Sequence, residues 1–510
     1  MGRIRSAPAV SMPTGIFDRS LPDRRLVARL GRAVAVAAAL MLATSGCGSM
    51  AAGVPPVHTG TPRTEAPTTT PVAAPRDAPL LPAASQLSDT PQPAVAPQPS
   101  NPETPTSMRP DPTVRESLIG AGSEPTVAIS PGGVLAVVVQ DIAWPRSCSR
   151  PAVRISHDGG VTWSPPSHPW DRRCEGIHAV IAWGPDDRLW FGGAVGVAGG
   201  VRMAVTHSDD FGRTWSAPWV EPYTPAWVGC FPAIAVDTDP ASLNHGTLYV
   251  AYNWLPSLAG PGVHVLAKPP HGPWAQVEVP AVRLHGFPAY NRIGYRIVPT
   301  ANGPVVSFYE ADLRRFPAES ILSNGPAANV GRQGFATAVI SFDGRRLSAE
   351  APRWAADVGG GGSLYLDPRW QSQLGIDTSN GTVTMWLAVE SQGRIMVGRS
   401  RTGGRWIWTT IGAGFKPVLA VSSGSDPGVI FLGWHAMQHG TIQNVWTISY
   451  DDGRTWLPQR LVSGARWTFP DRINGTGLRE NAAYGHGNFY WAWADTRLGS
   501  TKTYMAVVRP

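Results

Sequence analysis

Charge is sparse in this sequence: Asp, Glu, Lys and Arg make up 15% of 510 residues, against 43% hydrophobic residues. The formal net charge of +7 overstates even that, because residues 1–46 hold seven Arg against Asp18 and Asp23 and leave only +2 for the remainder. So weak a positive balance, with no nucleic-acid-binding motif, excludes a nucleic-acid partner. Cysteine is scarcer, at four residues. No His/Cys spacing fits a zinc site and no loop fits an EF-hand, so no metal and no cofactor is expected. The apolar run from Ala33 to Leu42 is too short to cross a bilayer as a helix. Gly and Pro, by contrast, are abundant at 56 and 50 residues, which argues against helices and for many short strands joined by turns.

One eight-residue phrase occurs three times: Ser156 to Trp163, Ser208 to Trp215 and Ser449 to Trp456, each reading Ser-x-Asp-x-Gly-x-Thr-Trp. Five fixed positions recurring three times mark a structural repeat. The residue types describe a hairpin turn. Asp158, Asp210 and Asp451 can accept backbone N–H bonds inside the turn, the Gly supplies positive φ, and Thr-Trp opens the next strand with an apolar anchor. Weaker echoes stand at Ser341 to Gly344 and at Ser400 to Trp406.

Beyond residue 114 the chain cycles through an apolar strand, a second stronger one ending in polar residues, a third, the octapeptide and a fourth. Starts at Glu124, His178 and Phe231 are 54 and 53 residues apart, a spacing that suits a four-stranded propeller blade. Later units fall at Arg296 to Asp312, Leu374 to Glu390, Lys416 to His435 and Asn481 to Arg497, so the fold class is all-β, a propeller of seven blades, with six the alternative. The last unit has three strands before Pro510, and Val114 to Ile119 is expected to supply the fourth and close the ring.

The octapeptides resemble the Asp box (BNR repeat) of the sialidase-like β-propeller superfamily. The resemblance covers about residues 114–510. It implies that the octapeptides are structural, that all lie on one rim, and that a ligand is met on the opposite face. It also implies the chemistry to look for: three Arg clamping a sialic-acid carboxylate, a Tyr nucleophile activated by a Glu, and an Asp as acid/base. The family's Arg-Ile-Pro ahead of its first box is missing here. Arg296-Ile297-Val298-Pro299 is the nearest match, and Arg472-Ile473-Asn474 lacks the Pro. By position, the clamp candidates are Arg292, Arg296, Arg369, Arg472 and Arg479. The nucleophile pair is Glu480 with Tyr484, and Asp141, Asp312 and Asp495 end second strands where an acid could reach the mouth. His178, Glu390, His435, Trp170 and Trp467 also fall among the loops of that face. Asp495-Thr496-Arg497 reads better as a clasp closing the last blade than as chemistry. A binding propeller for a glycan or an envelope protein is favoured over an active exo-sialidase or related glycoside hydrolase of acidic sugars.

At the N-terminus, an Arg-rich stretch ending at Arg32, the short apolar run and small residues before Cys47 resemble a bacterial lipoprotein signal. It implies export, lipidation of Cys47 and anchoring to the outer face of the plasma membrane. Residues 51–113 contain 16 Pro among Thr, Ala, Ser and Gln and read as a disordered tether between that signal (1–46) and the propeller. Cys148, Cys174 and Cys230 all fall on the candidate ligand face. In an exported chain two of them are expected to pair; Cys148 with Cys174 closes the shorter loop, though spacing does not fix the pairing. A closed ring is expected to be a monomer.

Overall fold

The computed structural model describes residues 111 and 113–510 apart from 143–148, 171–176, 198–199, 223–231, 254–262, 281–282, 285–286, 289, 312–332, 359–372, 379–381, 402–403, 423–427 and 469–479. The signal, the tether apart from Asp111 and Thr113, and all four cysteines lie outside the described residues.

Seven antiparallel sheets succeed one another around a ring. Blade 1 has Ser123–Ile129, Leu135–Ile142 and Ser149–Ser156; blade 2 has Ile177–Trp183, Leu189–Val197, Gly200–Ser208 and Trp219–Val220. Blade 3 comprises Ala233–Val236, Leu248–Asn253, Val263–Lys268 and Ala275–Val279. In blade 4 the strands Tyr290–Val298, Val305–Ala311 and Gln333–Phe342 precede two short ones, Leu347–Ala349 and Arg353–Asp357, both paired with the third. Blade 5 runs Gln373–Asp377, Thr384–Ser391, Arg394–Arg401, Ile407–Ala413, and blade 6 runs Phe415–Val421, Ile430–Gln438, Thr441–Ser449, Arg460–Leu461. Blade 7 takes Asn481–Gly485, Asn488–Asp495 and Lys502–Val508 from the end of the chain and its fourth strand, Arg115–Ala121, from the beginning. The seven-blade count and the closing strand are as the sequence implies. Blade 1 has no regular fourth strand. Its edge is covered by the segment Ser164 to His168, where Val153 and Ser167 exchange two backbone bonds of 2.8 Å and two prolines prevent a longer ladder.

The core lies in the seams between blades. Successive side chains of a strand point to opposite faces, so Leu135, Val137 and Val139 pack toward blade 7 with Tyr490, Ala492 and Met505, while Ala136 and Val138 pack toward blade 2 with Ile181 and Phe191. Both faces of a blade are therefore apolar, which explains the unbroken run Leu135 to Val139. Each such Val or Leu contributes about 1.5–3 kcal/mol by burial.

The three octapeptides adopt one turn. In the first, the Ser156 hydroxyl donates to Asp158 Oδ1 (2.7 Å) and accepts from Gly160 N (2.7 Å), while Thr162 N and Oγ1 donate to the Asp158 carboxylate. The same set recurs at Asp210 and Asp451. Fourth and fifth positions are both left-handed, at φ 67° and 88° for Gly159 and Gly160 and 59° and 71° for Asp452 and Gly453. The Thr455 hydroxyl and N–H hold the Asp451 carboxyl down at about 2. The echo at Asp343 keeps the turn, accepting from Arg345 N and Arg346 N. All these turns lie at the C-terminal ends of third strands, so they share one rim, as expected.

Candidate functional site

Inner strands run from the opposite face toward the turn face, so their first residues ring the mouth of the central shaft. Three of them begin with the same irregularity. The ladder skips between Ser123 and Thr126 in blade 1, between Ile177 and Val180 in blade 2 and between Phe415 and Val418 in blade 6. At each skip the first extra residue is left-handed although it is not glycine: Glu124 at φ 49°, His178 at 56° and Lys416 at 49°. Such a bulge re-aims a side chain, at a cost of order 1 kcal/mol that the surrounding fold has to offset. All three side chains are buried.

The residues at these bulges are charged or titratable, and they meet partners across the seams. Glu124 and His178 meet between blades 1 and 2, Oε2 to Nδ1 at 2.9 Å. On the other side of the ring, Lys416 Nζ lies 3.5 Å from Glu480 Oε1, and His435 Nε2 lies 2.8 Å from Glu480 Oε2. His435 in turn meets Asn444 Oδ1 at 2.7 Å through Nδ1, and Trp467 stands edge-on to its ring at 5.4 Å. From blade 4, Arg296 reaches across: Nη2 donates to the Glu480 carbonyl (2.7 Å) and Nε to Gln373 Oε1 (3.1 Å), while Gln373 Nε2 donates to the same carbonyl (3.0 Å). Four blades thus contribute to one polar cluster at the mouth.

Electrostatics within it are uneven. Burial pushes the Glu480 carboxyl up, but the charges of His435 and Lys416 and their hydrogen bonds outweigh it and hold the group below the ordinary carboxylate range. Arg296 is half-buried, yet protein surrounds its guanidinium, and desolvation pushes it down to about 10. It is charged at neutral pH nonetheless. Among the described residues of the cluster, Arg296 and Lys416 face the single carboxylate of Glu480, a balance that suits an anion.

Sequence position alone brings some of these residues forward and misplaces others. Glu480 and His435 stand at the mouth, with His178 on the blade 1–2 side, and Arg296, late in its own strand, reaches the Glu480 carbonyl with its side chain. Tyr484 does not join Glu480. Four residues of extended strand, about 13 Å, separate them, and the Tyr484 ring packs on Phe489 at 4.9 Å beside the hairpin of the turn face. Asp495 is fully buried and accepts from Trp493 Nε1 (2.9 Å) and from Arg497 N, Nε and Nη2 (3.1, 2.9 and 2.6 Å). Arg497 continues to Glu116 of the closing strand and lies 4.2 Å over the Tyr504 ring, so Asp495 belongs to a clasp between the two ends of the ring. Glu390 caps its own hairpin through Gly393 N (2.8 Å). Asp141 ends its strand opposite Arg150, and Arg292 lies in Tyr290–Val298; their side chains are not among those described. Asp312, Arg369, Arg472 and Arg479 lie outside the described residues. Glu124, Gln373, Lys416 and Asn444 are not singled out by sequence position as site residues, although the first three open inner strands.

No protein-family model matches the chain, and no curated protein matches it in sequence. Solved structures do resemble it. A leech intramolecular trans-sialidase complexed with 2,7-anhydro-Neu5Ac is 12% identical, with 68% of each chain covered and a TM-score of 0.39. The intramolecular trans-sialidase of Ruminococcus gnavus is 14% identical, covering 62% of this chain and 92% of that one, with a TM-score of 0.40. An ulvan lyase of polysaccharide lyase family 25 is 11% identical over 76% of this chain and 95% of its own, with a TM-score of 0.43. Identities this low speak only to the fold. Function has to be read from the chain's own side chains.

Among the described residues no group of three or more His, Cys, Asp or Glu could hold a metal ion.

Proposed function

We propose that this chain is a sialidase-like propeller that binds an acidic glycan at the mouth of its shaft, on the face opposite the octapeptide turns. The observation that carries the reading is the convergence of Arg296, Gln373, Lys416, His435 and Glu480 from four blades, with Arg296 only half-buried and bonded, among other contacts, to Gln373 Oε1 and the Glu480 carbonyl. An Arg that desolvation has already made less basic regains stabilisation when a carboxylate docks beside it. Binding fits better than hydrolysis. Glu480 is 0% exposed and held by His435 and Lys416, so it has no open side from which to activate a nucleophile, and the Tyr paired with it by sequence is a strand-length away.

Calorimetric titration of the full chain with neutral and with sialic- or uronic-acid-ended oligosaccharides tests this. Acid-ended ligands are expected to bind at least about tenfold tighter, and Arg296→Lys, which cannot keep the fork geometry, to remove most of that preference. Equal binding of both ligand classes, or an unaltered preference in the variant, overturns the reading. Release of a fluorophore from a sialoside in the same preparation would reopen hydrolysis.

The anchor belongs to the same reading: lipid on Cys47 holds an exported chain at the outer face of the plasma membrane, and residues 51–113 let the propeller stand off from it. Cys47→Ala is expected to release the protein into the medium, and unchanged membrane retention would count against lipidation.

A further inference from the structure

Beside the charged cluster, the seam between blades 1 and 2 holds polar groups of a different kind. Four buried aliphatic hydroxyl or amide groups lack a hydrogen-bond partner among the described residues, and three of them, Ser123 Oγ, Thr126 Oγ1 and Gln140 Nε2, belong to one pair of strands. Ser123 is the ladder partner of Gln140, and Thr126 that of Val138. Val138 packs into the seam with blade 2, and residues on one face of a strand alternate, so all three side chains enter that seam near its mouth end. The indole Nε1 of Trp170, in the same seam, is buried without a partner as well. Exposures are 2% for Ser123, 4% for Thr126, 2% for Gln140 and 5% for Trp170. Burying such a group unbonded costs on the order of 1–3 kcal/mol, so four together call for a reason. Glu124 and His178, paired at 2.9 Å, stand at the same end of the seam.

We infer that this end of the seam is a subsite for the hydroxyl groups of a neutral sugar ring. Two hydroxyls that both donate and accept, an amide and an indole N–H that donate, and a carboxylate–imidazole pair match alternating sugar hydroxyls, which also do both. An anion fits poorly, since the Glu124 carboxylate stands there. The subsite adjoins the mouth cluster: Asn481, next to Glu480, bonds both backbone groups of Val127 (2.7 and 2.9 Å), and Val127 adjoins Thr126. One oligosaccharide could place an acidic residue beside Arg296 and a neutral one on Gln140 and Thr126. The inference deepens the glycan reading of this face and rests on it.

The test uses the full chain carrying Thr126→Val and Gln140→Leu, which keep shape and remove the polar atoms, on an array of neutral and acid-ended oligosaccharides, with unfolding monitored alongside. The expected result is a loss of affinity of about tenfold for neutral and acid-ended ligands alike, with an unfolding midpoint unchanged or raised, because no bond of the free protein is lost. A lowered midpoint would show that the groups serve the fold, as through buried water, and overturns the subsite. So does unchanged affinity, or failure of the unaltered chain to bind any neutral oligosaccharide. Arg296→Lys separates the two readings: if it alters nothing while the seam variant weakens binding, the subsite stands and the acidic reading falls.

Discussion

Replacing Glu480 by Gln removes one charge from the most enclosed part of the mouth and leaves the rest in place. Glu480 and His435 are 0% exposed and Lys416 is 3% exposed, with contacts of 2.8 and 3.5 Å. Removing one partner of such a buried set leaves the others uncompensated, at a cost of about 3–5 kcal/mol; Gln can still accept one bond, so the lower end is expected. For a domain of this size the thermal midpoint would fall on the order of 5 °C. The pH dependence supplies a second readout. Because the folded carboxyl lies below its unfolded value, its contribution is fully present above the unfolded carboxylate pKa of about 4.3 and is lost as pH falls through the folded pKa. Calorimetric scans should therefore show a gap between wild type and Glu480→Gln near neutrality that narrows in acid. Equal midpoints at neutral pH, or a gap that persists undiminished to about pH 3, would refute the idea that charge pairing holds this cluster.

Two further changes test how the ring is built. Gly160→Ala should destabilise by about 1–3 kcal/mol, since the position is left-handed at φ 88° and an added Cβ meets the Met505 Cε of blade 7; an unfolding curve superimposable on wild type would contradict the packing described for that seam. Asn481→Ala should cost about 2 kcal/mol and raise proteolysis of the closing blade, because the Val127 N–H and C=O both lose their partner; unaltered denaturant midpoints would show that the bridge between first and last blades contributes nothing.

Much of the architecture was legible because its signals are local. Gly160, Gly212 and Gly453 satisfy a positive-φ requirement inside one turn, and the Asp and Thr of the same octapeptide complete it, so three copies sufficed to orient every blade. The closing strand could be inferred from an edge that needed a partner. The mouth was less legible. Glu124, His178 and Lys416 carry no shared residue type; their common feature is a bulge, visible only in the ladder register. Gln373 and Asn444 matter because a residue 77 positions earlier and one nine positions earlier in the chain converge on them. Tyr484 shows the opposite error: four residues is close in sequence, but along a strand it is the distance from one face of the ring to the other.

The same strand directions fix how the mouth sits relative to the rest of the chain. Arg115–Ala121 runs antiparallel to Lys502–Val508 with Arg115 level with Val507, and the Arg115 guanidinium reaches the Gly159 carbonyl inside the first octapeptide turn. Asp111, just before it, is bonded to Arg460 (2.6 Å) and to the Leu461 carbonyl (3.2 Å). The chain therefore joins the ring on the turn side, whereas Lys416 and Glu480 stand at the opposite ends of the inner strands. Under the proposal that lipid on Cys47 anchors the chain, this entry point puts the mouth on the face away from the attachment. If that proposal holds, a ligand would be met on the side facing away from the anchor, which favours an extended polymer or a neighbouring envelope structure over anything lodged in the anchoring bilayer.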